Sequence, residues 1–432
     1  MNLNHSVIGL IAFFFIAGAS ATAQATKLYV ANNGVDSATC GAKTTPCRSI
    51  QQAITNATSG DKIIVGSGRY SPVIVNKTVS VESSDGAEAT VIDAEGAAVD
   101  AVLIQASGVS LGKKKNGFTL KGAGGFKNGL LVANGLNGVR VAGNMAIANT
   151  DKGFFLPGGT GHVLSYNVAI GNNNAGFSLF GSASVVSNNL ATANTNDGFQ
   201  ILGSSHRVSS NASISNGYVG VLIQGDHHIF SNNVVTGNSL DGIAIVGGSG
   251  QQISGNVVLG NKHFGIYVGP AAPTIYKNNI FGNNIYPSAI GNIVYTNCGF
   301  FNNSGNTINI INNFWGTATG PSFNEPADDI CTGVFGSNQI STPFATKEFK
   351  IKVKISDEFS ADVLPIKREI NSSPSNPASN LKLYSLTGQL LAVLSEEKPS
   401  ELASLHLPNG LYLAVRVYVD GRREFVKPIM KR

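Results

Sequence analysis

The chain has 432 residues, of which 51 are glycine and only 13% are charged, and its formal net charge is +5. That length suits two or three domains, and so small and dispersed a charge excludes a nucleic-acid footprint. Glycine at this level, with apolar residues recurring in register, points to a turn-rich all-β protein rather than a disordered one. Charge is also uneven: residues 345–432 hold 24 of the 55 charged residues, which places a boundary near Thr346.

Residues 1–23 read as a secretory signal, with an apolar run from Val7 to Gly18 and Ala21-Thr22-Ala23 as the cleavage site, although no Lys or Arg precedes the run. The run is shorter than the ~20 residues of a membrane span, and no other stretch qualifies. The mature chain is therefore expected to be extracellular or at the cell surface and not membrane-spanning. Lys27–Val30 is a predicted strand. Thr45–Ile54 has helical spacing with Ser49 as N-cap. Four cysteines agree with an oxidising compartment, and two local disulfides are expected, Cys40–Cys47 and Cys298–Cys331. A shared zinc site is the alternative, and it would require the pairs to converge from opposite ends. Irregular short strands follow at 73–75, 79–81, 91–92, 102–104, 109–111, 118–120 and 130–132.

Residues 139–284 repeat one pattern with a period of 22 or 23. Its first anchors are Asn144, Asn167, Asn189, Asn211, Asn233, Asn256 and Asn279; five residues after each comes a second, Asn149 through Asn284. A glycine follows four residues later in the first six segments (Gly153 to Gly265), then an apolar-x-apolar triplet such as Phe177-Ser178-Leu179. Apolar residues also stand three before each first Asn (Val141, Leu164, Val186) and one after it (Met145, Val168, Leu190). A period of this size without helical spacing means a stacked β-solenoid of three short strands per coil. Asparagine is expected at the corners because it tolerates left-handed angles and can stack its amides, and glycine at the other sharp turn. Counting from those apolar positions, alternation would turn Ala146, Ala169, Ala191, Ser213, Val235, Val258 and Phe281 outward, a face that something must cover.

These repeats resemble those of the right-handed parallel β-helix proteins of the pectin-lyase-like superfamily, above all its NosD-like and uncharacterised secreted members. The resemblance covers roughly residues 27–345 and implies the right-handed sense. It also implies that the helix near Ser49 plugs the first coil, and that Phe314-Trp315 closes the last, with the tryptophan a cap rather than a sugar platform. The expected organisation is a signal (1–23), the β-helix (24–345), a linker region (346–380) and a small C-terminal β-sandwich module (381–432). That module, with Leu381–Leu391 and Leu407–Val415, resembles the C-terminal sorting domain of type IX secretion, whose machinery would then be a partner; one usual strand is missing.

Chemistry is harder to place. Residues 139–284 contain four acids, Asp151, Asp197, Asp226 and Asp241, and no Glu. Asp197 and Asp241 share a turn position two coils apart, roughly 9–10 Å, with Val219 between; they make no calcium cage, and a hydrolase pair stays open. Five residues before the anchors stand His162, Ser184, His206 and His228. His206 and His228 are thus expected about 5 Å apart. With Arg207 and Asp226 at the same surface they form the candidate catalytic set, able to relay a proton or bind an acidic sugar. His162, His227, Tyr218 and Tyr267, with Phe155, are candidate substrate contacts. The NosD likeness raises copper, but three histidines without a nearby Met or Cys do not make a soft-metal set; no metal ligands are assigned and the cofactor is left open. The expected role is a secreted or surface β-helix protein that binds extracellular polysaccharide without catalysis. The alternative is a lyase, epimerase or glycoside hydrolase acting on uronic-acid-containing polymers.

Overall fold

A computed structural model describes residues 25–284, 288–290, 293–322, 327–333 and 338–351, and four further strands. The signal at 1–23 and most of the linker region lie outside the described residues. The chain winds through three parallel ladders, one strand of each per coil. The first runs through Arg140–Ala142, Val163–Ser165, Val185–Ser187, Arg207–Ser209 and Ile229–Ser231. The second runs through Met145–Ile147, Val168–Ile170, Leu190–Thr192, Ala212–Ile214, Val234–Thr236, Val257–Leu259 and Asn279–Phe281. The third runs through Phe154–Leu156, Phe177–Leu179, Phe199–Ser204 and Val221–Asp226. Strand Ile243–Ser254 passes through both the first and the third ladder and joins them in one sheet of 23 strands, while the second ladder is a separate sheet of ten.

Inward side chains of successive coils stack on like neighbours. Phe154, Phe177 and Phe199 are fully buried, with ring centroids 4.8 Å apart and nearly parallel planes. At one end the helix Ile50–Asn56 adds Ile50, Ala53 and Ile54 to this core, and Ser49 Oγ accepts from Gln52 N at 3.1 Å as its N-cap. At the other end Trp315 is fully buried in the same core, as a cap should be. Phe314 does not share that task; it packs edge-on against Phe281 outside the second ladder. Both expected disulfides form, Cys40–Cys47 and Cys298–Cys331.

The corner asparagines stand in two files. In the first, Asn189 N and Nδ2 both donate to Asn211 Oδ1, at 2.9 and 3.0 Å, and Asn211 repeats this to Asn233. In the second, Asn194 does the same to Asn216. The last expected corners were one residue late. The files continue through Asn278 and Asn283, not Asn279 and Asn284, and end on Asn313 and Asp328. Adjacent asparagines made both alignments possible; the left-handed residue just before the corner, Lys277 or Gly282, selects the earlier one. The left-handed angles expected of the file asparagines belong instead to their predecessors, among them Ala148, Tyr166, Asn188 and Ser210. The column glycines are needed for closeness rather than turn angle: a Cβ on Gly153 would lie 2.6 Å from the carbonyl oxygen of Gly176 in the next coil.

Because each corner amide points inward, alternation counts from the asparagine. The expected facing of the second ladder is therefore reversed. Ala146, Ala169, Ala191, Val235 and Val258 belong to the main core, and Ser213 is buried as well. Met145, Val168, Leu190, Ala212, Val234 and Val257 form a second apolar cluster on the outer side. Phe281, expected outward, is in that outer cluster too. Beyond residue 379 four strands, Asn380–Ser385, Leu390–Ser395, Gly410–Val417 and Arg423–Lys431, pair antiparallel.

Candidate functional site

The histidine file is real and closed. His206 and His228 stack with centroids 5.2 Å apart and planes 4° from parallel. His206 Nδ1 accepts from Ser184 N at 3.1 Å, and its Nε2 meets the Leu202 carbonyl at 3.0 Å. His228 repeats this with His206 N and the Gln224 carbonyl, at 3.2 Å each, and His162 with Val139 N and the Gly158 carbonyl. An Nδ1 that accepts leaves the proton on Nε2, where a carbonyl takes it, so each ring is a neutral spacer bonded at both nitrogens. Burial pushes His206 down to about 4 and lowers His162 and His228 as well. All three are at most 1% exposed, so the imidazoles expected at a surface are enclosed by the coils. Gln251 occupies the next place in the file, its Nε2 donating to the carbonyls of Gly225 and Gly247.

The rest of the expected catalytic set is not gathered with them. Arg207 and Asp226 are exposed, as is the expected substrate contact His227, and the Asp226 carboxylate accepts from Ser249 N and Oγ, which holds it below the usual carboxylate range. Tyr218 is 52% exposed on a turn. Tyr267 is half-buried, its ring nearly parallel to Phe301 at 5.9 Å and its hydroxyl accepting from Asn303 Nδ2.

The polar and aromatic groups that do converge lie on the outer row of the third ladder and the turn before it. That row carries Phe155, Ser178, Gln200, Leu222, Ala244 and Tyr267 in register. Ser178 Oγ donates to Gln200 Oε1 at 2.8 Å, and Gln200 Nε2 donates to Asp197 Oδ2 at 2.8 Å. Asp197 Oδ1 accepts from Val219 N, yet burial still raises its carboxyl. Two coils on, Asp241 Oδ1 bonds His263 Nδ1 and accepts from Phe264 N at 3.1 Å. Burial raises Asp241, while His263 and the Phe264 amide pull it back. The His263 side chain is 23% exposed, and among the described residues nothing bonds its Nε2. Lys152 Nζ sits 4.6 Å from the Phe155 ring centre, and Phe180 meets Phe155 edge-on and is 38% exposed. Asp241 was expected from the sequence; His263 was not. The signal for it was present: the two are 22 residues apart, one period, and so are neighbours in adjacent coils.

Residues 208–341 match the family model described as right handed beta helix region, and residues 47–223 match that of the periplasmic copper-binding protein NosD. The second match implies copper, and the described residues do not suit it. The single cluster of three candidate ligands among them, Asp36, Cys40 and Cys47, has both sulfurs in a disulfide, and the buried histidines have no free nitrogen. No curated protein sequence matches the chain. Among solved structures it is similar to the A-module of mannuronan C-5 epimerase AlgE6 of Azotobacter vinelandii, with a TM-score of 0.55 and 18% identity over 69% of this chain and 93% of that one. The AlgE4 A-module of the same organism gives 0.54 and 17% over 74% of this chain and 100% of that one. At such identities the likeness is one of fold. No helix among the described residues is long and apolar enough to cross a membrane. The solenoid is a right-handed parallel β-helix of the pectin-lyase-like fold, built from NosD-type and β-helix-type repeats.

Proposed function

We propose that the protein is exported and engages an extracellular polysaccharide along the outer row of the third ladder, without altering it. The observation that carries this reading is the continuous strip from Phe155 to Tyr267. Aromatic rings at its two ends flank the Ser178–Gln200–Asp197 chain and the Asp241–His263 pair. Ser178, Ala244, Asp197 and Asp241 are buried beneath this row, so a sugar chain would rest on the partly exposed Phe155, Phe180, Gln200, Leu222, His263 and Tyr267, carried on coils ~4.8 Å apart. Rings of this kind offer apolar faces to sugars while amides and carboxylates take hydroxyl protons. The two disulfides accord with an oxidising compartment. The similarity to epimerase modules named for mannuronan supports a polysaccharide as the ligand class. On sequence resemblance alone, the C-terminal strands are assigned to type IX export, which deletion of 381–432 and assay of release would test.

A second reading, catalysis on uronic-acid-containing polymers, is favoured by one feature. Asp241 orients His263 through Nδ1 and leaves Nε2 unbonded, as a proton-transferring imidazole requires. A panel of extracellular polysaccharides assayed for retention and for change in the polymer separates the two. Retention of unaltered polymer, weakened by Tyr218→Ala, supports binding. Altered polymer whose formation His263→Gln abolishes supports catalysis, and neither retention nor turnover contradicts both.

A further inference from the structure

The outer row of the third ladder does not begin at Phe155. Three earlier coils carry Ile74, Leu103 and Leu131 in register with it, on strands Val73–Val75, Val102–Ile104 and Leu130–Val132. Their neighbours along each strand, such as Val75, Ile104 and Leu130, are buried in the core, so these three face outward. Ile74 is 44% exposed, and Leu103 and Leu131 are half-buried. The turns that lead into these strands extend the apolar surface. Val99 precedes the second strand and Phe126 the third, and Phe126, 86% exposed, is the most exposed large apolar residue among the described residues. Its φ of 59° is left-handed, an angle that residues with a Cβ rarely adopt. A phenyl ring held in water at such an angle goes against both burial and backbone preference, a conflict found where a surface has work to do. Contiguous apolar side chains on a folded surface mark a place of contact. Along the other edge, Asn76 and Gln105 are exposed two residues after Ile74 and Leu103, and neither side-chain amide is hydrogen-bonded among the described residues.

We propose that this end of the third ladder seats ester-linked acyl groups of the polysaccharide, so that the ligand is an O-acylated polymer. The inference rests on the proposed function and names its ligand class. The strip is continuous with the face assigned there, because Phe155 belongs to both. A fully hydroxylated sugar laid on Ile74, Leu103 and Leu131 would turn hydroxyls towards side chains that cannot pair with them, and an unpaired buried hydroxyl is costly. An acyl ester has the complementary make-up. Its hydrocarbon part suits the aliphatic row and the Phe126 ring, and its carbonyl accepts a hydrogen bond from Asn76 or Gln105. From Ile74 to Phe155 is three coil steps, about 14 Å, which leaves room for more than one such group.

The test uses the full chain and partly O-acetylated mannuronan, before and after alkaline de-esterification, on an affinity gel. Wild type should retain the acetylated polymer at least tenfold more tightly than the de-esterified one. Phe126→Asn, whose new side chain tolerates the left-handed angle, and Leu103→Asn should each reduce that preference to twofold or less while leaving retention of the de-esterified polymer unchanged. Equal retention of the two forms by wild type overturns the inference and leaves the proposed function standing. A preference that both variants preserve also overturns it. So does loss of both forms together in Phe126→Asn, which would make the ring a general sugar platform. Retention of neither form overturns it too, and the proposed function is then decided by the wider panel. A wild-type dimer in sedimentation that Phe126→Asn dissociates would make a second copy the occupant, which likewise overturns it.

Discussion

Acid should weaken this solenoid through a group that a surface role for the histidines would not involve. His206 is fully buried and neutral, and burial, chiefly, holds it down at about 4 from an ordinary 6.5. In the unfolded chain the same ring binds a proton between those values, so the unfolded state gains protons as pH falls and stability drops with it. The contribution is intact above pH 6.5, declines below it and is fully lost once pH is under about 4. At pH 4.5 the cost relative to pH 7.5 is about 2–3 kcal/mol, since each tenfold difference in proton affinity between the two states is worth ~1.4 kcal/mol. His162 and His228, lowered for the same reason, act in the same direction. The assay is urea unfolding followed by circular dichroism at the two pH values, in wild type and in His206→Gln. Glutamine is a suitable replacement because Gln251 already fills the place after His228 in the same file. The variant should keep most of its stability at pH 7.5 and lose about 2–3 kcal/mol less than wild type on acidification. An identical pH response in both proteins would refute the buried, neutral assignment.

Replacing Asn211 with alanine in the middle of the first file strands the Asn189 amide and removes two donations to carbonyls; the expected loss is about 2–4 kcal/mol, read from the urea midpoint. Gly198→Ala should be at least as damaging, because its Cβ would fall 2.0 Å from Ser213 Oγ and 2.7 Å from the Gly220 carbonyl; thermal melting checks this. Cys298→Ser/Cys331→Ser opens a loop with a sequence separation of 33 and should cost about 4 kcal/mol, against about 2.5 for the shorter Cys40–Cys47 loop by the same loop-entropy relation. Tyr218→Ala, an exposed turn substitution, should leave the melting temperature unchanged while weakening polysaccharide retention on an affinity gel.

The period, the corner files, the N-capped helix and both disulfides were legible because each is written locally or repeated in register. The facing of the second ladder was not, since residues such as Ala146 and Val168 are apolar on both sides of the sheet and composition does not separate inside from outside. The amide that anchors the alternation does separate them, once it is known to point inward. The histidines show the same limit. Spacing made His206 and His228 neighbours, but their burial depends on parity: His206 lies two residues before Val208 and shares its inward face. The Asp241–His263 contact was written in a separation of one period. It was harder to see because the two are different residue types on adjacent turns rather than members of one repeating column.

The claim that the third ladder is the ligand face is tested most directly by hydrogen–deuterium exchange of the protein with and without a polysaccharide it retains. Protection should concentrate in Phe177–Leu179, Phe199–Ser204, Val221–Asp226 and Ile266–Val268 and in the turns that lead into them. Protection confined to the first-ladder strands such as Val185–Ser187 and Arg207–Ser209, with the third ladder unchanged, would contradict it.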